Sequence, residues 1–321
     1  MLDLIDRKII YLLDKNARQS FSQIAKQLRI GRNVVLYRVN RLKEQGMIKG
    51  AFAEINNPSL GYFSFRVFLK IGNSTQKTEN ELLEFIEKNN STMWLSRVIG
   101  KWDLDFVIMV KDISEFENFR KKLFLDYNSI IEFSSISLLT SITHFQKDYL
   151  MNENRKSGET LLKLDKKVDI DQKDLELLIL LTKDAFINIL DISKKLNLSI
   201  NTVKKKIKFL EKSSVILGYR LFIDTHLLGY EHFKVHLSLR NYNESDIIRL
   251  KNWLSSNIAV IYLDNYINGE DFEIELHLKN EQEYLDFIEE LKSEFSKIIK
   301  EYFMLKFYDV RVFRYLPIEK H

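Results

Sequence analysis

The sequence repeats itself, and this feature constrains the fold more than any other. When the 321-residue chain is shifted by 168 positions, residues 1–62 align without a gap with residues 169–230 and share 18 identities. Both copies end the match in Leu-Gly-Tyr, at 60–62 and 228–230. A fixed offset of this length indicates an internal duplication. The chain should therefore fold as two copies of one unit, because it is also too long for one ordinary domain.

The first part of each unit has helical spacing. Apolar residues recur at helical intervals in three successive segments between Leu4 and Gly46, with a tight turn before the third. The alternating segment 47–56 then predicts a small hairpin. Three helices followed by a hairpin are typical of a winged helix-turn-helix. The second copy repeats the scheme.

The second part of each unit changes to a period of two and predicts the order βαββαβ, which is a ferredoxin-like sandwich. We therefore expect an α+β protein with winged helix-turn-helix domains at 1–60 and 168–228. The βαββαβ domains should occupy 61–148 and 229–321. The polar segment 149–167 should link the two copies.

Charge and composition limit the function. Residues 1–50 carry 11 basic and 4 acidic side chains, whereas residues 230–321 carry 12 basic and 17 acidic ones. A basic end favours an anionic partner for the first domain. The absence of cysteine excludes disulfides, thiolate metal sites and cysteine nucleophiles. With no run of 18 apolar residues we expect no membrane span and a cytoplasmic protein.

Several motifs of the first copy carry a family resemblance. They are Lys15-Asn16-Ala17-Arg18, Arg38-Val39-Asn40-Arg41-Leu42, Leu60-Gly61-Tyr62 and Gly100-Lys101-Trp102-Asp103. With the domain order, they resemble the Lrp/AsnC (feast/famine) transcription regulators. The resemblance implies a non-enzymatic protein that binds double-stranded DNA and pairs its βαββαβ domains through their sheets. The second copy departs from the pattern, since it reads Lys206-Ile207-Lys208-Phe209-Leu210, and the family usually carries one unit per chain.

The third helix of each copy is the candidate DNA-reading element. In the first copy the predicted contact residues are Arg32, Asn33, Leu36, Tyr37, Arg38, Asn40 and Arg41. Asn33 suits adenine, Arg41 suits guanine or phosphate, and Arg32 and Arg38 suit phosphates. In the second copy they are Asn201, Lys204, Lys205 and Lys208. Because lysines bind phosphates but discriminate bases poorly, the first copy should read sequence and the second should add affinity. The alternative for the lysines is a solvated helix face.

The resemblance also implies effectors, often amino acids, near the Gly-x-x-Asp turn. The candidate contacts are Gly100 and Asp103, with Gly269 and Asp271 in the second copy. The alternative is that these residues only form a tight turn between strands. Two sensor domains in one chain allow an intramolecular pseudo-dimer that reads an imperfect palindrome, and further self-association is also expected. We expect no cofactor, metal site or catalytic residue.

Two other functions stay open. Fused siroheme decarboxylases share this architecture. The resemblance to them is only partial, because they are expected to carry a His-Asn-Tyr stretch in the second strand of the βαββαβ domain, and the histidine is missing from both copies here. Here the strands read Met93-Trp94-Leu95 and Ile261-Tyr262-Leu263. The other alternative is a degenerate sensor that no longer binds DNA.

Overall fold

The computed structural model describes residues 2–151, 160–163 and 166–317. The elements of the first copy follow in chain order. They are α1 (Leu4–Lys15), α2 (Phe21–Leu28), α3 (Arg32–Glu44), β1 (Ile48–Ile55), β2 (Phe63–Ile71), α4 (Gln76–Glu87), β3 (Thr92–Gly100), β4 (Leu104–Val110), α5 (Ile113–Tyr127) and β5 (Ile131–His144). A short strand, β6 (Thr160–Lys163), lies between the copies.

The second copy repeats this order. Its elements are α6 (Gln172–Lys183), α7 (Ile189–Leu196), α8 (Ile200–Lys212), β7 (Ile216–Ile223), β8 (Glu231–Leu239), α9 (Glu244–Ser256), β9 (Val260–Ile267), β10 (Phe272–Leu278), α10 (Glu281–Phe295) and β11 (Ile299–Phe313). The helices begin where the sequence offers caps. Asp3 and Asp171 form capping boxes at the starts of α1 and α6, and Ser199 caps α8 with a hydroxyl.

The predicted hairpin after α3 is wrong, because residues 48–55 form one strand. β1 pairs antiparallel with β7 of the other copy and makes a two-stranded ribbon. The pairing gives each strand the hydrogen-bond partner that a hairpin would have supplied. Two matched bonds join the copies further, from Ala17 N to the Tyr219 carbonyl and from Ala185 N to the Ala51 carbonyl, both 2.8 Å.

The three-helix domains of both copies and the ribbon together form a unit that we call the head. Its apolar side chains from both copies belong to one continuous core, which includes Ile9, Val39, Leu177 and Val203. Because the two domains share this core and the ribbon, neither can shift without disturbing the other.

Below the head, the eight long strands of the βαββαβ domains close into one antiparallel barrel. Within each copy the strand order is that of a ferredoxin-like sheet, and the copies meet where β3 pairs with β11 and β5 with β9. The β2–β5 pairing completes the ring. Helices α4, α5, α9 and α10 pack on the outer faces of the strands. Closure gives each of these eight strands a partner on both edges.

Segment 149–167 contributes more structure than the polar linker that the sequence predicts. Tyr149, Leu150 and Leu162 are buried, and β6 pairs with the end of β5. The Lys163 amide donates to Asn56 Oδ1 at 3.1 Å, which ties the segment to the head. Parts of the predicted linker, 152–159 and 164–165, lie outside the described residues. Among the helices described, none has the length and hydropathy that a membrane crossing requires.

Candidate nucleic-acid interface

Helix α3 presents one face to the core and another to solvent. Val35, Val39 and Leu42 are fully buried in the head. The opposite face carries the predicted contact residues Arg32, Asn33, Tyr37 and Asn40, all of them exposed, and Leu36 lies half-buried beside them. Tyr37 is 66% exposed, so its ring takes no part in the core and is accessible to a partner.

Arg38 and Arg41 do not face outward freely. Arg38 Nη1 lies 2.6 Å from Asp3 and 2.8 Å from Asp6, and Arg41 Nη2 lies 2.5 Å from Asp6. The hydrogen bond from Arg38 lowers the pKa of Asp3, and the two aspartates raise the pKa of Arg38. We call this cluster the brace, since it ties α3 to the start of α1. The helical spacing alone had placed both arginines among the DNA contacts.

Helix α8 has the same design with different chemistry. Val203, Ile207 and Leu210 are buried, and the predicted residues Asn201, Lys204, Lys205 and Lys208 are exposed. Lys206 forms a second brace.

In the second brace, Lys206 Nζ lies 2.7 Å from Asp171 and 3.0 Å from Asp174. These three residues correspond to Arg38, Asp3 and Asp6 at the repeat offset. Sequence reasoning missed both braces, although two aspartates preserved at the offset beside a basic residue were a signal for them.

The predicted effector residues hold the turns of the barrel. Asp103 accepts bonds from the Ile71 amide at 2.7 Å and from Lys70 Nζ at 3.0 Å. Gly100 has a φ of 140°, and a Cβ there would lie 2.3 Å from the Met304 carbonyl oxygen.

The second turn uses the same bond. Asp271 accepts from the Leu239 amide at 2.6 Å, and Gly269 lies against Tyr266. Because each aspartate accepts a bond from a backbone amide of another strand, both have a structural role, and this geometry favours the tight-turn alternative at both places.

Ionic groups are buried where one side of the ribbon meets the barrel. Glu54 contacts His144 Nδ1 and, at 3.3 Å, Arg220 Nε. Burial lowers the pKa of His144 to about 4, so its ring is neutral at pH 7 and donates to the carboxylate. Burial raises the pKa of Glu54, but His144 and Arg220 outweigh it and bring that pKa to about 2. Lys147 pairs nearby with Asp14 at 2.9 Å. We call these five residues the ionic cluster.

The barrel interior holds another set of buried charges. Arg66 makes a bidentate pair with Asp105 and reaches Asp264 at 2.9 Å, and Lys234 lies 2.7 Å from Glu273. These pairs satisfy charges that would otherwise be costly away from water.

One group inside the barrel could hold a metal ion. Ligand atoms of His236, Glu270 and Glu273 lie within 4.8 Å of one another. His236 Nδ1 is already bonded to Glu270 at 3.1 Å, and Lys234 neutralises Glu273. The donor set therefore suits a divalent cation in number, but its charges are balanced by protein groups.

A cavity of about 790 Å³ lies between the ribbon and the barrel, and we call it the central cavity. Its walls carry many aromatic side chains and three histidines. They include Phe52, Trp94, Phe222, His232, Tyr262 and His277. A neighbouring chamber of about 430 Å³ shares part of this wall. Sequence analysis did not find either space, because both form only when distant strands close into one barrel.

Comparisons with known proteins agree with the observed helices. A family model described as winged helix-turn-helix DNA-binding matches the chain twice, at residues 2–49 and 170–216. The HTH-type transcriptional regulator Ptr1 of Methanocaldococcus jannaschii is 36% identical over 119 residues, which cover 37% of this chain and 79% of that protein. An uncharacterised HTH-type transcriptional regulator of Pyrococcus horikoshii is 30% identical over 141 residues, or 44% of this chain and 87% of the relative.

A solved structure resembles the whole chain. The crystal structure of the siroheme decarboxylase NirDL covers 98% of this chain and 95% of its own, with a TM-score of 0.66 and 14% identity. At this identity the likeness establishes the fold alone, and it extends over both copies. The predicted fold, helix-turn-helix domains followed by ferredoxin-like domains, is thus confirmed. From the regulators that it matches and the fold that it adopts, the chain belongs to the Lrp/AsnC family of helix-turn-helix transcription regulators, as a tandem duplication of the family's unit.

Proposed function

We propose that this protein is a sequence-specific transcription regulator that docks α3 and α8 on double-stranded DNA. The observation that carries the proposal is the exposure of the outward faces of both helices, while their inward faces are fixed in one core. A helix whose inward face is packed in the core and whose outward face is exposed can enter a major groove without a prior rearrangement.

The two helices divide the work in this proposal. Asn33 and Tyr37 contact base edges, and Arg32 and Asn40 contact the backbone or the groove wall. An amide is suited to the paired donor and acceptor of adenine. The lysines of α8 bind phosphates and add affinity with little discrimination. Arg38 and Arg41 keep α3 in place through the brace instead of reading DNA.

The head functions as an intramolecular pseudo-dimer. The matched backbone bonds from Ala17 to β7 and from Ala185 to β1 support this, because they join the copies in both directions at the repeat offset. Two reading helices with unlike side chains should select an imperfect palindrome, with half-sites one helical turn or a multiple of it apart. Further association of chains remains part of the proposal, and sedimentation would measure it.

The test is binding of the full chain to its own upstream region, followed by fluorescence anisotropy at several salt concentrations. We expect specific binding with a steep decrease of log affinity against log salt. The double variant Asn33→Ala/Tyr37→Ala should lose specificity. Equal, weak binding by the wild type and this variant at every salt concentration would favour the degenerate-sensor alternative. Genome-wide recovery of bound fragments would then give the operator.

An amino-acid-like effector at the βαββαβ domains is the finer part of the proposal. The turns at Asp103 and Asp271 give it little support, since backbone amides already use both carboxylates. Isothermal titration with amino acids, on the wild type and on Asp103→Asn, would decide whether this site exists.

A tetrapyrrole enzyme is the second candidate, because the likeness to NirDL spans both copies and the central cavity has room for a large planar ligand. A NirDL structure is a co-complex with an iron-uroporphyrin III analogue, with 14% identity and a TM-score of 0.64 to this chain. Here Trp94 and Tyr262 line the cavity on the strands where the decarboxylase resemblance requires histidine. Absorption spectra during titration with that analogue would show a shifted Soret band if this candidate is correct.

A further inference from the structure

The junction between ribbon and barrel breaks the symmetry of the repeat. One side is filled by the ionic cluster, including the Lys147–Asp14 and Arg220–Glu54 pairs. The residues at the repeat offset on the other side are uncharged. They are Tyr315, Thr182, Phe52 and Phe222, in the same order. All four line the chamber of about 430 Å³, so the open side is the one opposite the ionic cluster.

Positive charge surrounds this chamber. Among the described residues that line it are Lys49, Lys183 and Arg314, and none of the described lining residues is acidic. Lys49 pairs with Asp224 at 2.8 Å at the edge. The Arg314 guanidinium donates to the Thr92 carbonyl at 3.3 Å, and no carboxylate within the described part of the chain pairs with it. A guanidinium in this position suits an anionic group.

Aromatic rings form the wall that the chamber shares with the central cavity. Phe52 stacks on Tyr315 at 4.7 Å, and Phe222 stacks on Phe313 at 5.1 Å. Trp94 lines the central cavity beside this wall. A wall of stacked rings favours a flat aromatic ligand.

We propose that the chamber and the central cavity together bind a planar aromatic anion, whose acidic group pairs with Arg314 and whose rings lie against Phe52 and Phe222. The site also sets DNA affinity, and this second part rests on the function proposed above. Phe52 and Phe222 lie on β1 and β7, which directly follow α3 and α8. A ligand that favours one position of the ribbon therefore favours one arrangement of the reading helices.

The first experiment measures binding by the full chain. The probe is 8-anilinonaphthalene-1-sulfonate, an aromatic anion that fluoresces in apolar sites. We expect saturable binding with one probe per chain. Binding to several equivalent places, or no saturation, would overturn the proposal.

Variants locate the anion. Arg314→Gln should weaken probe binding about tenfold or more, because it removes one charge-assisted pair. Lys183→Gln, which changes an exposed residue of α6, should weaken it less. Arg311→Gln is the matched control, since Arg311 lies near the end of β11, three residues before Arg314, and pairs with Glu87. Equal effects of Arg314→Gln and Arg311→Gln would refute the role of Arg314, and thermal unfolding of each variant excludes misfolding as the cause.

The second experiment measures DNA affinity with and without saturating probe. We expect a change of about fivefold or more, the usual lower range of coupling between two sites. Unchanged affinity would refute the coupling. If the chain binds no DNA even without the probe, the proposed function fails, whereas the fluorescence titration still decides whether the cavity is a site.

Discussion

The two reading helices have the same support and different faces. Behind α3 and behind α8, an aspartate pair at the start of the first helix holds a basic side chain of the third. In front, α3 presents Asn33 and Tyr37, whereas α8 keeps the asparagine and replaces the tyrosine by Lys205. The duplication thus retained what positions the helix and changed what the helix offers to DNA. Structural constraint and binding chemistry are separable within one small domain.

The braces themselves differ in strength, which gives the largest expected effect. Asp6 is almost fully buried and receives both Arg38 and Arg41, whereas Asp174 receives Lys206 alone, because Phe209 stands at the position of Arg41. Asp6→Ala should reduce the free energy of unfolding by about 3 kcal/mol, since it leaves the partly buried Arg41 unpaired and leaves Arg38 with Asp3 as its remaining partner.

Asp174→Ala should reduce it by about half as much. Urea denaturation of both variants measures the difference. Each variant also removes one capping bond, which the Asp3 amide donates to Asp6 and the Asp171 amide donates to Asp174. Equal reductions in the two variants would mean that these capping bonds contribute more to stability than the ion pairs. Asp246→Ala, which removes a capping box at α9 without a brace, supplies the control for capping alone.

A second prediction concerns the front faces. Asn33→Ala should reduce affinity for the specific site by about 10- to 100-fold, as expected for one good bidentate base contact. Asn201→Ala at the corresponding position of α8 should reduce it much less. Competition binding with specific and random duplexes measures both. A larger effect of Asn201→Ala would reverse the division of work between the copies.

Much of the architecture follows from the sequence, but its closure does not. The offset identities and the change of period predict the three helices and the βαββαβ order, because both are local patterns. Pairing of β1 with β7 and of β3 with β11 joins residues more than 150 positions apart, and no periodicity encodes a choice of partner. The predicted hairpin failed for this reason.

The candidate site was predictable to a similar degree. Helical spacing separates Val35, Val39 and Leu42 from the outward residues, which the structure places on the exposed face. Spacing gives the direction of a Cα–Cβ bond only. It cannot show that a long arginine side chain at 38 turns back to an aspartate on another helix. Charged side chains at the flank of a stripe are therefore the least predictable members of such a face.

The third prediction concerns the lysines of α8. Replacing Lys204, Lys205 and Lys208 together by glutamine should lower the slope of log affinity against log salt by about 0.9 for each phosphate that the helix no longer neutralises. The preference for specific over random DNA should stay the same. The matched control replaces Lys121, Lys122 and Lys300, which are exposed on the barrel, and its slope should equal that of the wild type. If the slope falls equally in both variants, the α8 lysines form a solvated helix face and do not contact DNA.

The last prediction applies to acid pH alone and concerns the two sides of the ribbon, of which only one holds the ionic cluster. His144 has a folded-state pKa of about 4 and an ordinary value of 6.5, so the unfolded chain takes up the proton first as the pH falls. Its contribution to stability is complete above pH 6.5 and decreases between pH 6.5 and 4, by up to about 1.4 kcal/mol per pH unit. His144→Gln should flatten the dependence of the unfolding free energy on pH in this window, whereas His226→Gln, at an exposed position, should leave it unchanged. Identical pH profiles for wild type and His144→Gln would show that other buried groups account for the acid sensitivity. One such group is His277, because burial lowers its pKa as well.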